Sequence, residues 1–187
     1  MKEIEKLVKE ISEKLQALEN LLNQKNIPKV DLVFPRGVVR TANDFRNRLN
    51  FISDPVLKSN IAYSLMFTDF LRWILNRFDV AFTLKEMLIK SGISLIGYVI
   101  EAILKHILKD PNAGIDRCCT ELVKKGIISQ DLKKNIKWVW NRRCKEHLIT
   151  VKEIELQKYE LKDYNKAILT WQELERVLYG AKINRKI

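Results

Sequence analysis

The sequence predicts an all-α protein, an up-and-down helical bundle of about five or six helices with a long N-terminal amphipathic helix. The 187 residues include only six Gly and four Pro, too few for the many tight turns of a sandwich or barrel. Leu, Ile, Lys and Glu dominate the composition, as they do in helical proteins. Hydrophobic residues make up 47% and charged residues 30%, which is typical of a globular chain and unlike a disordered one.

The first predicted element is an amphipathic helix over residues 1–25, followed by a connector over residues 26–37. Apolar residues recur there at alternating spacings of four and three, at Ile4, Val8, Ile11, Leu15, Leu18 and Leu22. Three such heptads could pair with a second chain. Leu7 and Leu21 widen the stripe, which favours packing on the protein's own bundle. The connector contains two prolines and a glycine and is the predicted hinge.

The bundle itself is predicted over residues 55–180. After a short helix that ends before Ser53, a mostly buried helix runs to about Phe78, with Asp54 as its cap and a proline at its first position. The next helix starts at a capping box of Thr83 and Glu86.

Two glycines lie inside that helix, Gly92 and Gly97, and they indicate a close approach of two helix backbones. Contact with a ligand is the alternative. A shorter helix ends at Gly126, and another begins at Ser129 or Asp131.

The last helix is predicted to start with Asp163 as its cap and to end at Gly180. Residues 150–161 fit a loop, a strand pair or a frayed helix equally well.

The sequence predicts no membrane span, disulfide framework or metal site. The longest uncharged stretches are about half of what crosses a bilayer, and the amino terminus lacks an apolar signal core. Cys118 and Cys119 are adjacent, Cys144 has no evident mate, and no C-x-x-C pair exists. We therefore expect a cytoplasmic protein without a cofactor.

The net charge of +11 is concentrated in one stretch. Residues 114–150 hold nine basic and four acidic residues, nearly half of the excess. A basic excess favours an anionic partner such as RNA, DNA or a membrane surface. A solvated Lys-rich helix face is the alternative.

Signatures of nucleotide-binding folds, zinc proteases and serine hydrolases are absent from the sequence. What remains is W-N-R-R-C-K-E-H, residues 140–147, inside the basic stretch. An imidazole that titrates near neutral pH can transfer protons, and a guanidinium can hold phosphate oxygens. Arg142 and His147 are separated by about 140° and about 7.5 Å on a straight helix. They could reach one phosphate from a groove edge or from two copies of the chain.

The R-x4-H element formed by Arg142 and His147, on a late helix of a small helical bundle, resembles the HEPN superfamily of metal-independent ribonucleases and their inactive relatives. The resemblance covers residues 55–180 at the level of pattern. Arg143 stands where that family often has Asn, Asp or His.

This resemblance implies a homodimer whose motif helices meet across an RNA-binding groove. His147 would act as general acid or base on the ribose 2′-hydroxyl, Arg142 would hold the scissile phosphate, and an antitoxin or partner domain would restrain the enzyme. Further RNA contacts are expected from residues of the same stretch, namely Asn141, Arg143, Lys145 and Lys137.

Two other functions are compatible with the sequence. A catalytically silent dimer of the same fold could bind RNA or a protein partner, and residues 2–25 could form a coiled-coil adaptor. In either case His147 would be a helix histidine without a catalytic task. Cys144 is expected to be a packing residue. Tyr159 and Tyr164 are expected to pack within the bundle rather than stack on bases.

Overall fold

The computed structural model describes residues 2–22, 31, 33–144 and 158–184. All regular structure in these ranges is helical, so the all-α prediction is confirmed. The described ranges contain seven helices: α1 (Lys2–Leu22), α2 (Ala42–Arg48), α3 (Pro55–Arg77), α4 (Phe82–Leu108), α5 (Ile115–Lys124), α6 (Gln130–Cys144) and α7 (Leu161–Ile183). This agrees with the predicted five or six bundle helices and the long N-terminal helix.

The chain divides into two compact units, residues 1–35 and residues 36–187. The first unit contains α1, and none of the residues of α1 is buried. The apolar stripe of α1 is therefore exposed. The division falls within the predicted connector.

The second unit is a helical bundle built around α4. This helix packs against α3, α5, α6 and α7, and α2–α3, α5–α6 and α6–α7 are further packed pairs. Among the described residues, α4 alone is long and apolar enough to cross a membrane, but 61% of its 18-residue apolar segment is buried within the protein. Burial on several sides explains its composition, as is typical of a core helix.

The predicted start of α3 is confirmed. Oδ1 of Asp54 accepts hydrogen bonds from the amides of Val56 and Leu57 at 2.8 and 3.1 Å, and a proline stands at the first helical position. The start of α6 also agrees, since the hydroxyl of Ser129 accepts a hydrogen bond from the amide of Leu132 at 3.0 Å. Both residues satisfy amides that have no partner inside the helix.

Two other predicted helix starts are wrong. The cap of α4 is Ala81, without a side-chain hydrogen bond, and the carboxylate of Glu86 accepts instead from the amide of Lys158. At α7 the cap is Glu160, and Asp163 occupies the third helical position of a capping box.

The end of α7 also differs from the prediction. The helix continues past Gly180 to Ile183, so this glycine lies within the helix.

The glycines of α4 lie where neighbouring side chains come closest. An added Cβ at Gly92 would meet the ring of Tyr164 on α7, and one at Gly97 would lie 2.8 Å from Cβ of Arg143 on α6. The hydroxyl of Tyr164 donates to the carbonyl oxygen of Thr68 on α3 at 2.7 Å, so one buried ring joins α3, α4 and α7. The nearest neighbours of both glycines are therefore side chains of α6 and α7, not a second helix backbone as predicted.

Candidate nucleic-acid interface

The basic motif begins on the last turn of α6, which ends at Cys144. His147 and Lys145, predicted to act in catalysis and in RNA binding, lie outside the described residues. The other predicted site residues, Asn141, Arg142, Arg143 and Lys137, are all on α6.

The guanidinium of Arg142 is held from several sides. Its Nη1 donates to the carbonyl oxygen of Lys158 at 3.0 Å, and its Nη2 lies 3.7 Å from Oδ2 of Asp163. Its central carbon lies 5.5 Å from the ring centres of Trp138 and Tyr159. The side chain is 25% exposed, so it keeps a solvent-facing part while its orientation is fixed.

Arg143 points into the contact between α6 and α4. Its guanidinium lies 4.4 Å from the ring centres of both Tyr98 and Trp140, and its Nη2 is 3.1 Å from Oε2 of Glu101. The side chain is 17% exposed, and its Nε has no hydrogen-bond partner among the described residues. A phosphate contact by Arg143 remains a prediction, and it would compete with the Glu101 ion pair.

Lys137 and Asn141 lie on exposed parts of α6. Nζ of Lys137 is 2.8 Å from Oδ1 of Asp116, and the hydrogen bond between them raises the pKa of Lys137 and lowers that of Asp116. Asn141 is exposed. Because an exposed ion pair is weak, Lys137 can exchange Asp116 for a phosphate at small cost.

The rings beside Arg142 also attract cations from other helices. Nζ of Lys166 on α7 lies 4.4 Å from the ring centre of Trp138, and Nζ of Lys90 on α4 lies 5.9 Å from that of Tyr159. We call the set of Lys90, Trp138, Arg142, Tyr159 and Lys166 the Arg142 cluster. Tyr159 is buried, so the expectation that it packs within the bundle is confirmed.

The sequence prediction missed the two lysines of this cluster. Lys90 was recognisable as the one cation between Lys85 and Lys105 of α4, but no sequence feature relates it to Arg142. No pattern in the sequence around Lys166 predicts that it lies near Trp138.

Acidic side chains from outside the basic stretch compensate part of its charge. Arg117 lies 3.0 Å from Asp110, while Arg142 and Arg143 face Asp163 and Glu101. These ion pairs neutralise part of the positive charge of the stretch, so the net charge of this surface is lower than the count of its basic residues indicates.

The described residues offer few other reactive groups. The thiols of Cys118 and Cys119 are buried and free, and burial raises the pKa of Cys119 to about 12, which makes it inert. Nε2 of His106 lies 3.4 Å from the hydroxyl of Ser53, without an acidic partner among the described contacts of the ring. No group of three or more His, Cys, Asp or Glu in the described part of the chain could hold a metal ion.

Comparison of the chain with protein-family models, curated proteins and solved structures finds no significant match. The resemblance to the HEPN superfamily consequently depends on the motif residues and the helical order. The function has to be argued from the site itself.

Proposed function

We propose that this protein is a metal-independent endoribonuclease of toxin or defence type, active as a homodimer. Arg142 holds the scissile phosphate, and His147 transfers a proton to or from the ribose. The observation that carries this proposal is the fixed, partly exposed guanidinium of Arg142, held by Lys158 and Asp163 and flanked by two aromatic rings.

An arginine fixed in this manner suits phosphate recognition. Its rotamer freedom is already lost in the folded protein, so little further entropy is lost when it binds a phosphate. A guanidinium has five N–H donors, and the contacts at Nη1 and Nη2 do not use all of them. Lys166 adds positive charge beside Trp138, which supports binding of a phosphodiester, whereas Lys90 is buried and contributes only through the electrostatic field near Tyr159.

The proposed reaction needs only protons and the substrate's own hydroxyl. An imidazole removes the proton of the 2′-hydroxyl, and the 2′-oxygen attacks the phosphorus. The bond to the 5′-oxygen breaks, and a second imidazole, from the other copy of the chain, protonates the leaving oxygen. The products are a 2′,3′-cyclic phosphate and a 5′-hydroxyl, and Arg142 stabilises the charge that develops on the phosphate.

The exposed residues of α6 extend the proposed RNA surface. Asn141 and Lys137 are placed to contact the strand beyond the scissile phosphate, where such contacts position RNA more than they react. Lys145 is proposed for the same task from the sequence.

The decisive experiment is cleavage of single-stranded RNA by the purified chain in the presence of EDTA. We expect cutting to persist and to stop when the attacking 2′-hydroxyl is replaced by hydrogen. His147→Ala should lower the rate about 10²–10⁴-fold, and Arg142→Ala should lower it strongly. Lys134→Ala is the matched control, because Lys134 is an exposed cation of α6 that faces Asp131. Cutting by His147→Ala at the parental rate would refute the proposal.

A second function, RNA or protein binding without cleavage, is favoured by a different observation. Both arginines of the motif face carboxylates, Arg142 that of Asp163 and Arg143 that of Glu101, which is also how purely structural arginines are held. Under this alternative the parent shows salt-dependent RNA binding or capture of a protein partner, with no cleavage products under any condition.

A further inference from the structure

Helix α1 carries an apolar stripe that nothing in the described structure covers. Ile4, Val8 and Ile11 expose 66%, 57% and 56% of their surfaces, and Leu15 continues the stripe. Isolated helices of this length are marginal in water, and most helices gain their stability by packing an apolar face. The ion pairs of α1, Lys6 with Glu10 and Lys9 with Glu13, are exposed and 3.9 Å long, so they contribute little.

The stripe follows the register of a coiled coil. In heptad notation its d positions are Ile4, Ile11 and Leu18, and its a positions are Val8, Leu15 and Leu22. The spacing alternates between four and three without a break, which is the pattern that places one seam against partner helices.

The charges beside the seam select a parallel arrangement of identical helices. Lys14 occupies a g position and Glu19 the e position five residues later, and these two positions face each other in a parallel coiled coil. In a fully overlapping antiparallel pair, Lys14 would face Lys14 of the other copy, and Glu5 would face Glu19. Both of those contacts join like charges and are repulsive.

The core residues also indicate the number of strands. Leu at a with Ile at d favours three or four strands, whereas a β-branched residue at a with Leu at d favours two. Leu15 and Leu22 at a with Ile4 and Ile11 at d follow the first pattern, and Val8 at a with Leu18 at d follows the second, so four of the six seam positions favour more than two strands. Leu7 and Leu21 stand at g positions. They widen the apolar surface that a coiled coil of more than two helices would bury.

We propose that α1 joins copies of this chain into a parallel coiled coil of three or four strands. A second copy fits the stripe because the same helix supplies both the Lys14 and the Glu19 that the register brings together. This association is separate from the proposed nuclease dimer, which uses α6.

The first test measures the number of chains per particle of the full-length protein by sedimentation equilibrium. We expect three or more chains for the parent. Ile11→Asp, which places a charge in the seam, should reduce that number to one or two, whereas the control Gln16→Asp, at an exposed position outside the seam, should leave it unchanged. If Ile11→Asp still forms a dimer, we assign that dimer to the proposed α6 interface. Loss of the coiled coil and loss of the nuclease dimer are thereby distinguished. A monomeric or dimeric parent, or no effect of Ile11→Asp, would overturn the proposal.

The second test uses charge reversal. Lys14→Glu and Glu19→Lys each create repulsive pairs with a copy of themselves, but the two variants complement one another in a parallel assembly. A tagged Lys14→Glu chain, offered equal amounts of both untagged variants, should capture Glu19→Lys about tenfold more than Lys14→Glu. The control Glu13→Lys carries the same charge change on the outer face and should bring no such gain. Equal capture of the two variants would refute the assigned register.

The third test addresses orientation. Ile4→Cys should form disulfide-linked chains under mild oxidation, because parallel helices bring the two d positions together. In the antiparallel arrangement the two introduced thiols would lie about 27 Å apart along the helix axis. Failure of Ile4→Cys to cross-link in particles of three or more chains would contradict a parallel coiled coil.

Discussion

At the scale of single residues, Gly97 sets how closely α6 approaches α4. A Cβ at this position would lie 2.8 Å from Cβ of Arg143 and 3.1 Å from its Cγ. The Cβ of Arg143 is attached to the backbone and cannot rotate away, so α6 would have to shift. Gly97→Ala should therefore lower the free energy of unfolding by about 1–3 kcal/mol, measured by urea denaturation.

Gly180 provides the matched control. It lies inside α7 with no atom within 4 Å of an added Cβ, so Gly180→Ala should raise the free energy of unfolding by about 0.5–1 kcal/mol. Equal effects of the two substitutions would show that the contact at Gly97 does not fix the helix spacing.

Glu175 makes the stability of the bundle depend on pH. It is buried on α7 and faces Arg48, and its Oε1 has no hydrogen-bond partner among the described residues. Burial raises its pKa above the ordinary value near 4.5, although Arg48 opposes the shift. The folded protein thus holds this proton more tightly than the unfolded chain does. The contribution of Glu175 to stability is then greatest below about pH 4.5 and is lost as the pH rises through the raised pKa.

Glu175→Gln tests this dependence because it keeps the side-chain size and removes the titration. The free energy of unfolding of the parent, minus that of the variant, should fall as the pH is raised from about 4.5 towards neutrality. A difference that stays flat over this range would show that the burial of Glu175 is not reflected in its proton affinity.

At the scale of helices, the sequence predicts the elements better than their ends. The spacing of apolar residues locates α3 to α7 because each helix must bury one face. Capping is a local competition that tertiary contacts can decide: the pair of Thr83 and Glu86 looked like a capping box, yet Glu86 bonds to Lys158. Asp54 keeps its hydrogen bonds to the first amides of α3, and its capping role was predictable.

At the candidate site, too, local sequence features were predictable and tertiary contacts were not. Arg142 was predictable because residue type, spacing and local charge coincide in one stretch of sequence. Its surroundings were not, since Lys90 comes from α4 and Lys166 from α7. The role of Arg143 in joining α6 to α4 depends on Gly97 and Glu101, and no sequence pattern relates those residues to the motif.

At the scale of the whole molecule, the hydrophobic core belongs to the second unit alone. Every buried residue of the described chain lies between Phe45 and Ala181. The segment before α2 is tied to this core by Arg40, whose Nε and Nη2 donate to both carboxylate oxygens of Asp69 at 2.6 and 2.7 Å. Arg40 also lies over the ring of Phe45. The stable boundary of the bundle therefore lies just before Arg40.

A chain that begins at Arg36 should fold without the first unit. We expect residues 36–187 to retain the free energy of unfolding of the full chain within about 0.5 kcal/mol, because surface changes away from the core have effects of that size. The comparison should be made by urea denaturation at a concentration at which the full chain does not self-associate, since association adds apparent stability. A truncated chain that loses several kcal/mol would show that residues 1–35 contribute to the bundle. RNA cleavage and the number of chains per particle can be measured on the same truncated chain. If it still cleaves RNA but forms smaller particles, catalysis belongs to the bundle and self-association to α1.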